Sequence, residues 1–569
     1  MTMVEHMTLL LKNKSTQNFP ALILPVIYLA LISFFIFRCT GQKHQNDERI
    51  IIGIESDVQT INPIYAFSYS EGNLIDLLFM KPAIERWNDS LGVIEFEPML
   101  AEKWEWGENG NSLRLYLRKD IFWSDGIPIT TDDIVYTFDI YSDPEVESRF
   151  FGQFKNFYLL DNSKIDIKKT FKVVSPTVLE VHFRKDSDPG LLDINLEIIP
   201  KHIWSKINKT DFPQAQANFE PITSGPFKLR KWDREALISL SIDSSSFLYN
   251  PDNIKEIIFK IIPDYKSRIT QLKTGTIDIV DNIKSEDINE LKSVEKLNVF
   301  TLRGRDYDYI GWNHIDPQEY QKSRIVPNKL FSSRNIRKAL SCAINRQEIV
   351  ESYLDGFGEL CKGPVSPMFK SYYLSNIAFD KYDPSKAKEI LKEDGWEDKN
   401  GDGIIEKDNT EFRFDLYINT GNPRRTYVAT IVKNNLKAVG IEANIQMLEM
   451  GAFVEGLMKR NYDAWIAGWT IPVPIDLNPF WNSDQDIGFL NFSSYQNKDK
   501  DIILDSLQQK LKEPERINLY KEIQDIFYKD EPVTFLYWFD NIIVYNKRLS
   551  KINFSMIGLV KNAWEWRVE

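Results

Sequence analysis

At 569 residues the chain is too long for one hydrophobic core and predicts about two to four domains, while its 43% hydrophobic and 27% charged residues exclude a disordered polymer. A net charge of −12, with no Lys/Arg-rich stripe anywhere, excludes a protein that holds a phosphate backbone. Three cysteines (Cys39, Cys342, Cys361) make no disulfide scaffold and no CxxC pair, and none of the five histidines stands four residues from another, which argues against a zinc or iron site.

The first landmark in chain order is "FPALILPVIYLALISFFIF", residues 19–37, uncharged and preceded by Lys12 and Lys14. At about 1.5 Å per residue it matches the roughly 30 Å hydrocarbon thickness of a bilayer. Two readings stand. A secretory signal cut just before Cys39 would leave that thiol to carry lipid, which explains a lone cysteine after the apolar run. An uncleaved single span with a cytoplasmic start explains Arg38, a poor fit to a small-residue cleavage site. Either way residues 1–47 are a signal or anchor plus tether, and the rest lies outside the cytoplasmic membrane.

Beyond the tether, "RIIIGIESD" reads as a buried strand and "SYSEGNLIDLLFM" as a helix capped by Ser70, with Glu71 at the positive end of its dipole. "SLRLYLRKDIFWSDG" alternates as a strand and turns at Asp125-Gly126. "ITTDDIVYTFDIY" is a helix capped by Thr130 or Thr131 with two aspartates in its first turn. "TVLEVHFRK", the pair in "SGPFKLRKWDREALISLSID", and "NIKEIIFKIIPD" are strands; "KSRITQLKTGTIDIV" is a helix leading into another.

From about residue 306 a second α/β unit begins: the strand "YDYIGWN", the helix pair "RNIRKALSCAINRQEIVESYLDG", and a helix between Asp383 and Gly395. Strand, helix, strand and helix follow in 412–460. Next comes "YDAWIAGWTIPVPIDLNPFWNSD" (462–484), where Pro472 and Pro474 must end the apolar strand because proline cannot donate to a ladder. A helix in 513–530 and the apolar "PVTFLYWFDNIIVYN" carry the chain back toward the first unit.

Six segments in this order, "LAEKWEWGENGNSLRLYLRKDIFWSDGIPITTDDIVYTFD", "TSGPFKLRKWDRE", "RNIRKALSCAINRQEIVESYLDGFG", "YDPSKAKEILKEDGWEDKNGDG", "YDAWIAGWT" and "PERINLYKEIQDIFYKDEPVTFLYW", resemble the family 5 extracellular solute-binding proteins, which include the oligopeptide-, dipeptide- and nickel-binding receptors of ABC importers. The resemblance implies an α/β, two-lobed periplasmic-binding-protein fold of the large class with an extra subdomain and hinge strands between the lobes. It places the first lobe in 48–305 plus 533–569 and the second in 306–532. It also implies a monomer that takes a peptide or other small solute and presents it to ABC permease subunits. In peptide-binding members the stretch matching Gly468-Trp469-Thr470 pairs with the ligand backbone as with an added strand. The facing loop corresponds to Tyr69-Ser70-Glu71-Gly72, and Phe150 stands where an aromatic covers the ligand.

One departure matters. Those members carry an aspartate a few residues after the Gly-Trp pair to hold the ligand's ammonium, whereas here Ile471, Pro472, Val473 and Pro474 follow and the first acid is Asp476. Either Asp476 or Glu71 substitutes, or the ligand has no free amino terminus.

The remaining motifs read structurally. "DKNGDGIIEKD" has Asp398, Asn400 and Asp402 at calcium-loop spacing, but Asn409 stands where a loop-closing Glu belongs, which favours a hairpin turn. Asp125, Asp132 and Asp133 serve a turn and a helix start. With no GxSxG, HExxH, Walker or Rossmann pattern, no catalytic residue, metal or cofactor is expected. The expected activity is solute capture for import, or, with the same crevice and no transport, ligand sensing or chaperone-like holding in the envelope.

Overall fold

The computed structural model describes residues 48–377 and 380–569, so the apolar segment 19–37, Cys39 and the tether lie outside the described residues. Among the described residues no helix is long and apolar enough to cross a membrane. The first lobe starts with β1 (Arg49–Ile54) and, after a loop, α1 (Tyr69–Leu78). A hairpin of β2 (Ala83–Asn88) and β3 (Val93–Pro98) leads into an antiparallel sheet of β4 (Ala101–Trp106), β5 (Ser112–Leu117), β6 (Phe171–Ser175) and β7 (Val178–His182), ordered β4-β5-β7-β6. Within this subdomain α2 (Thr131–Tyr141) is entered through Thr130, whose N–H donates to the Asp133 carboxylate at 2.9 Å. Then come β8 (Phe227–Asp233), β9 (Leu237–Ile242), β10 (Glu256–Ile261), α3 (Tyr265–Thr274) and the short β11 (Ile279–Val280).

The 16-residue β12 (Leu297–Trp312) crosses into the second lobe. There α4 (Arg334–Ala343), α5 (Arg346–Ser352), β13 (Gly358–Leu360), α6 (Pro384–Glu393), a hairpin of β14 (Glu406–Lys407) and β15 (Thr410–Glu411), β16 (Arg413–Asn419), α7 (Pro423–Lys437), β17 (Glu442–Leu448), α8 (Met450–Met458), β18 (Ala464–Thr470) and α9 (Glu513–Asp530) follow, and the 14-residue β19 (Val533–Asn546) crosses back. The large sheet runs β17-β16-β18-β12-β19-β11-β1-β10-β9-β8, with β13 attached to β19. Its two central strands therefore serve both lobes.

Why these segments form central strands follows from having both faces covered. Ile50 and Ile52 of β1 enter one apolar cluster while Ile51 packs against another, so the strand reads as a continuous apolar run. In β12, Tyr307 and Tyr309 face the cluster that holds Trp465 and Trp538, and Ile310 and Trp312 face the one under α4 and α7. The β12–β19 ladder slips between Leu302 and Asp306, and at Gly304 an added Cβ would fall inside the Phe539 carbonyl oxygen. A bulge where only glycine fits marks the point where the lobes meet.

The chain's last stretch returns to the first lobe: Leu549, Phe554, Trp564 and Trp566 are buried in its core. A buried ion network fastens it. Lys561 reaches Asp76 at 2.8 Å and Glu85 at 3.0 Å; Lys81 reaches Glu197 at 3.2 Å; Arg149 reaches Glu197 at 2.8 Å. Burial raises the carboxyl pKa values of Glu85 and Glu197, but these cations outweigh it and hold both at about 2. Because the folded values lie below the unfolded ones, the network's contribution is complete above about pH 4.5 and is lost as the pH falls toward 2. Urea unfolding should show the midpoint dropping across that window. Lys81→Met should cost about 3–5 kcal/mol at pH 7 and make the drop shallower.

Candidate functional site

The stretch 464–470 forms β18, and it ends as its prolines require, with only Ile471 between it and Pro472. One edge is taken by β12, with Asp306 opposite Thr470, Tyr307 opposite Trp469 and Asp308 opposite Gly468. The other edge meets β16 only at Ala464 and Trp465. Among the described residues no strand pairs with that edge from Ile466 to Thr470, and Pro472 and Pro474 carry no N–H with which to extend it. Ile471 is tied down instead: its N–H donates to the Arg305 carbonyl at 2.9 Å and its carbonyl accepts from Arg305 Nη1 at 2.8 Å. Trp465 is fully buried against Gly311, while Trp469 is half-buried beside Tyr309, Phe480 and Phe492 at ring separations of 6.4, 4.9 and 5.5 Å.

Beneath this edge lies a charge cluster. Asp308, 1% exposed, accepts from Arg424 Nε at 2.8 Å, Arg425 Nη2 at 3.3 Å and the Tyr537 hydroxyl at 2.9 Å. Arg425 Nη1 also donates to Asn419 Oδ1 at 2.8 Å, and the Arg424 guanidinium stands 4.1 Å over the Phe539 ring. Burial would raise the Asp308 pKa, but the two guanidiniums outweigh it and hold the carboxyl below its ordinary range. Two cations against one anion leave surplus positive charge at the start of α7, beyond the carboxyl end of β16, where ligands of open α/β sheets gather. A Cβ on Gly468 would sit 2.6 Å from the Tyr307 carbonyl and 3.1 Å from Arg425 Nη2, so this close approach requires glycine.

The first-lobe wall differs from the sequence reading. The cap of α1 is Ser68, not Ser70: Ser68 Oγ accepts from the Glu71 N–H at 3.2 Å, and the Glu71 carboxylate accepts from the Ser68 N–H at 2.8 Å. Tyr69, Ser70, Glu71 and Gly72 are thus the first helical turn, not a loop with a free strand-like backbone. Glu71 is buried and also accepts from Gln59 N–H at 2.9 Å, so its carboxylate is spent on the chain itself. Tyr69 and Phe67 are exposed, at 52% and 74%. Phe150 packs on Tyr141 at 4.6 Å and under the Arg149 guanidinium at 4.4 Å, and Arg149 N–H ties this corner to the Ile64 carbonyl.

Asp476 does not stand beside Thr470 but at the rim. It takes the Asn478 N–H at 3.1 Å and Gln508 Nε2 at 3.3 Å, with Lys155 of the first lobe 4.0 Å away. Other rim contacts join the lobes: Ser371 Oγ to the Leu91 carbonyl at 3.0 Å, Trp87 against Phe369 at 6.0 Å, and the Arg516–Asp188 ion pair.

The structure therefore groups Gly468, Trp469 and Thr470 on one edge. Arg305 is fastened to this edge through Ile471. Cys342 and Cys361 are buried free thiols. Asp398 and Asn400 spend their oxygens on backbone N–H groups of their own turn, Asp398 on Gly401 and Gly403. Sequence reasoning missed Asp308, Arg424, Arg425 and Arg305. The signal was present for Asp308: an acid on the inward side of an alternating strand demands a buried partner, and "PRR" supplies two.

The profile of the bacterial extracellular solute-binding proteins, family 5 Middle, matches residues 95–489. The oligopeptide-binding protein AppA of Bacillus subtilis is 27% identical over 559 residues, covering 95% of this chain and 97% of its own, and the Escherichia coli dipeptide-binding protein is 24% identical over 469 residues, covering 78% and 81%. The solved structure of B. subtilis AppA with a nonapeptide superposes with a TM-score of 0.71 at 25% identity, over 92% of this chain and 99% of that one. NikZ of Campylobacter jejuni with Ni(L-His) gives 0.72 at 24%, with the same coverage.

The Asp308 cluster has a direct consequence. Asp308→Asn leaves two desolvated guanidiniums sharing a neutral amide and should lower stability in a denaturant titration by about 3–5 kcal/mol.

Proposed function

The chain belongs to the family 5 bacterial extracellular solute-binding proteins, and from that premise we propose that it is the receptor of an ABC importer for peptides, held between the lobes in extended form and delivered to the permease. One observation carries this reading: the edge of β18 from Ile466 to Thr470 lacks a strand partner among the described residues, stops at prolines, and has Trp469 beside it. An extended peptide is the ligand whose own backbone satisfies such an edge, with alternate side chains directed to either wall. Tyr69, Phe67 and Phe150 line the opposite wall in this reading, and the surplus guanidinium at Arg424 and Arg425 favours peptides that carry negative charge nearby. Glu71 and Asp476 take no part, since their carboxylates already serve the α1 cap and the rim.

Binding then acts on the hinge. A ligand that touches both walls binds the closed arrangement better than the open one and shifts the population by that difference, with motion concentrated where β12 and β19 slip past Gly304. Nothing in the mechanism needs a covalent step. A monomer suffices, because one molecule carries both walls.

Native mass spectrometry of the purified protein should reveal co-purifying peptides, and a non-peptide solute would overturn the reading. Trp469→Ala should weaken binding of the recovered peptide at least tenfold, about 1.4 kcal/mol, by calorimetry.

Attachment to the outer face of the cytoplasmic membrane, through lipid on Cys39 or through residues 19–37 as a span, fits a receptor that must stay beside its permease. Metabolic labelling with an alkynyl fatty acid decides between them. If Cys39 is lipidated, Cys39→Ala abolishes the label and releases the protein from the membrane; if 19–37 is the span, the variant stays in the membrane fraction.

A further inference from the structure

Beside the free edge of β18 the large sheet opens. Strand β16 runs on to Asn419 but pairs with β18 only at Leu416 and Tyr417, and among the described residues no ladder joins the two beyond that point. Soon after β16 ends, α7 begins at Pro423, and its Asn422 cap accepts the Arg425 N–H at 3.1 Å. Arg424 and Arg425 therefore rise at the mouth of this gap. In the sheet order β16-β18-β12-β19, both reach across β18 to Asp308 of β12, and Arg424 also covers the Phe539 ring of β19 at 4.1 Å. They cross at Gly468, which lies opposite Asp308 and has no side chain to stop them.

The two arginines differ in what they have left to give. Every nitrogen of the Arg425 guanidinium is engaged: Nε and Nη2 donate to Asp308 Oδ1 at 3.4 and 3.3 Å, and Nη1 donates to Asn419 Oδ1 at 2.8 Å. Arg424 donates from Nε to Asp308 Oδ2 at 2.8 Å, and among the described residues its Nη1 and Nη2 meet no second carboxylate. That bond and the Phe539 ring fix the plane of the guanidinium, yet the Arg424 side chain keeps 24% of its surface exposed, against 13% for Arg425 and 1% for Asp308. A guanidinium presents its donors as a rigid fork, so spending Nε leaves a pair of terminal nitrogens that matches a carboxylate. Neighbouring charges are occupied: Asp306 accepts the Thr470 hydroxyl, Arg305 Nη1 donates to the Ile471 carbonyl, and Arg303 pairs with Glu359.

Ladder geometry decides which part of a ligand meets that fork. Directly opposed residues of a sheet share a face. Ile466 with Ile310, and Gly468 with Asp308, lie on the face that α7 covers, whereas Trp469 with Tyr307 lies on the other. A peptide strand along Ile466 to Thr470 therefore turns the residue opposite Gly468 toward the arginines and its two neighbours toward the Trp469 face. We propose that Arg424 determines specificity at the ligand position opposite Gly468, where it takes a carboxylate supplied by an acidic side chain or by the peptide's own carboxyl terminus. The proposal rests on the peptide reading above and adds to it a residue and a register. Arg425 and Asp308 are positioning residues, because their bonds are spent on holding each other and Arg424. Selectivity is then divided by the two faces of the strand, charge on the α7 side and apolar contact on the Trp469 side.

The test uses the full-length protein and its Arg424→Gln and Arg424→Lys variants. Each is titrated calorimetrically with pentaalanine, its carboxyl-terminal amide, the pentapeptides that carry a single glutamate at each position in turn, and their glutamine counterparts. The expected result for the unaltered protein is a preference of at least about tenfold, for glutamate over glutamine at one position or for pentaalanine over its amide. The first outcome assigns the carboxylate to a side chain, the second to the terminus. Arg424→Gln should bring that ratio to parity, and Arg424→Lys, a charge without the fork, should keep only part of it. The ratio separates recognition from support, because a merely structural loss beside Asp308 weakens every peptide alike. No preference in the unaltered protein, or a ratio that survives in Arg424→Gln, overturns the proposal and leaves the peptide reading standing. If Arg424→Gln does not fold, Arg424→Lys decides, and an undiminished ratio in it overturns the proposal. Binding of none of the peptides defeats the peptide reading and this inference with it.

Discussion

The pairing of β12 with β19 is the constraint on which the rest of the molecule depends. Two antiparallel strands, 16 and 14 residues long, each contribute one end to either lobe, so the lobes are parts of one hydrogen-bonded sheet rather than beads on a tether. A regular ladder of that length would be stiff. The slip between Leu302 and Asp306 breaks it at Gly304, where the Phe539 carbonyl comes too close for any side chain. A second irregularity follows between Asp308 and Tyr309, and Arg305 lies at the first.

Around the hinge, charges are handled in two ways. Structural acids are buried with at least matching cation: Asp308 with two guanidiniums, and Asp76, Glu85 and Glu197 with Lys81, Lys561 and Arg149. Both clusters hold carboxyl groups below their ordinary range and lock elements that must not move, the β12–α7 junction and the chain's return to the first lobe. Arg305 and Asp281 show the opposite: burial shifts each toward its neutral form.

Much of the fold was legible from local pattern. Alternation and capping residues located β5, β7, α6 with its Asp383 cap, and the end of β18 at the prolines, since each is decided within a few residues by sterics or by backbone hydrogen bonding. The α1 start was misplaced by two residues for a local reason as well: two serines compete, and the one three residues before Glu71 completes the reciprocal pair. That shift turned a supposed loop into a helix turn. The long first half of β12 escaped notice because Leu297–Gly304 mixes polar and apolar residues without a clean period, and only β19 makes it a strand.

The sequence by itself determined the order of elements and the end of β18 before its prolines, because proline geometry and the two- and 3.6-residue periods act on neighbours along the chain; the family followed from the resemblance of six ordered motifs. What only the tertiary structure decided is which charges are spent. Asp308 and Arg424 are 116 residues apart, and Glu85 and Lys561 are 476 apart. Electrostatic work depends on distance in space and on the water excluded between groups, and neither quantity is written in the spacing of residues along a chain.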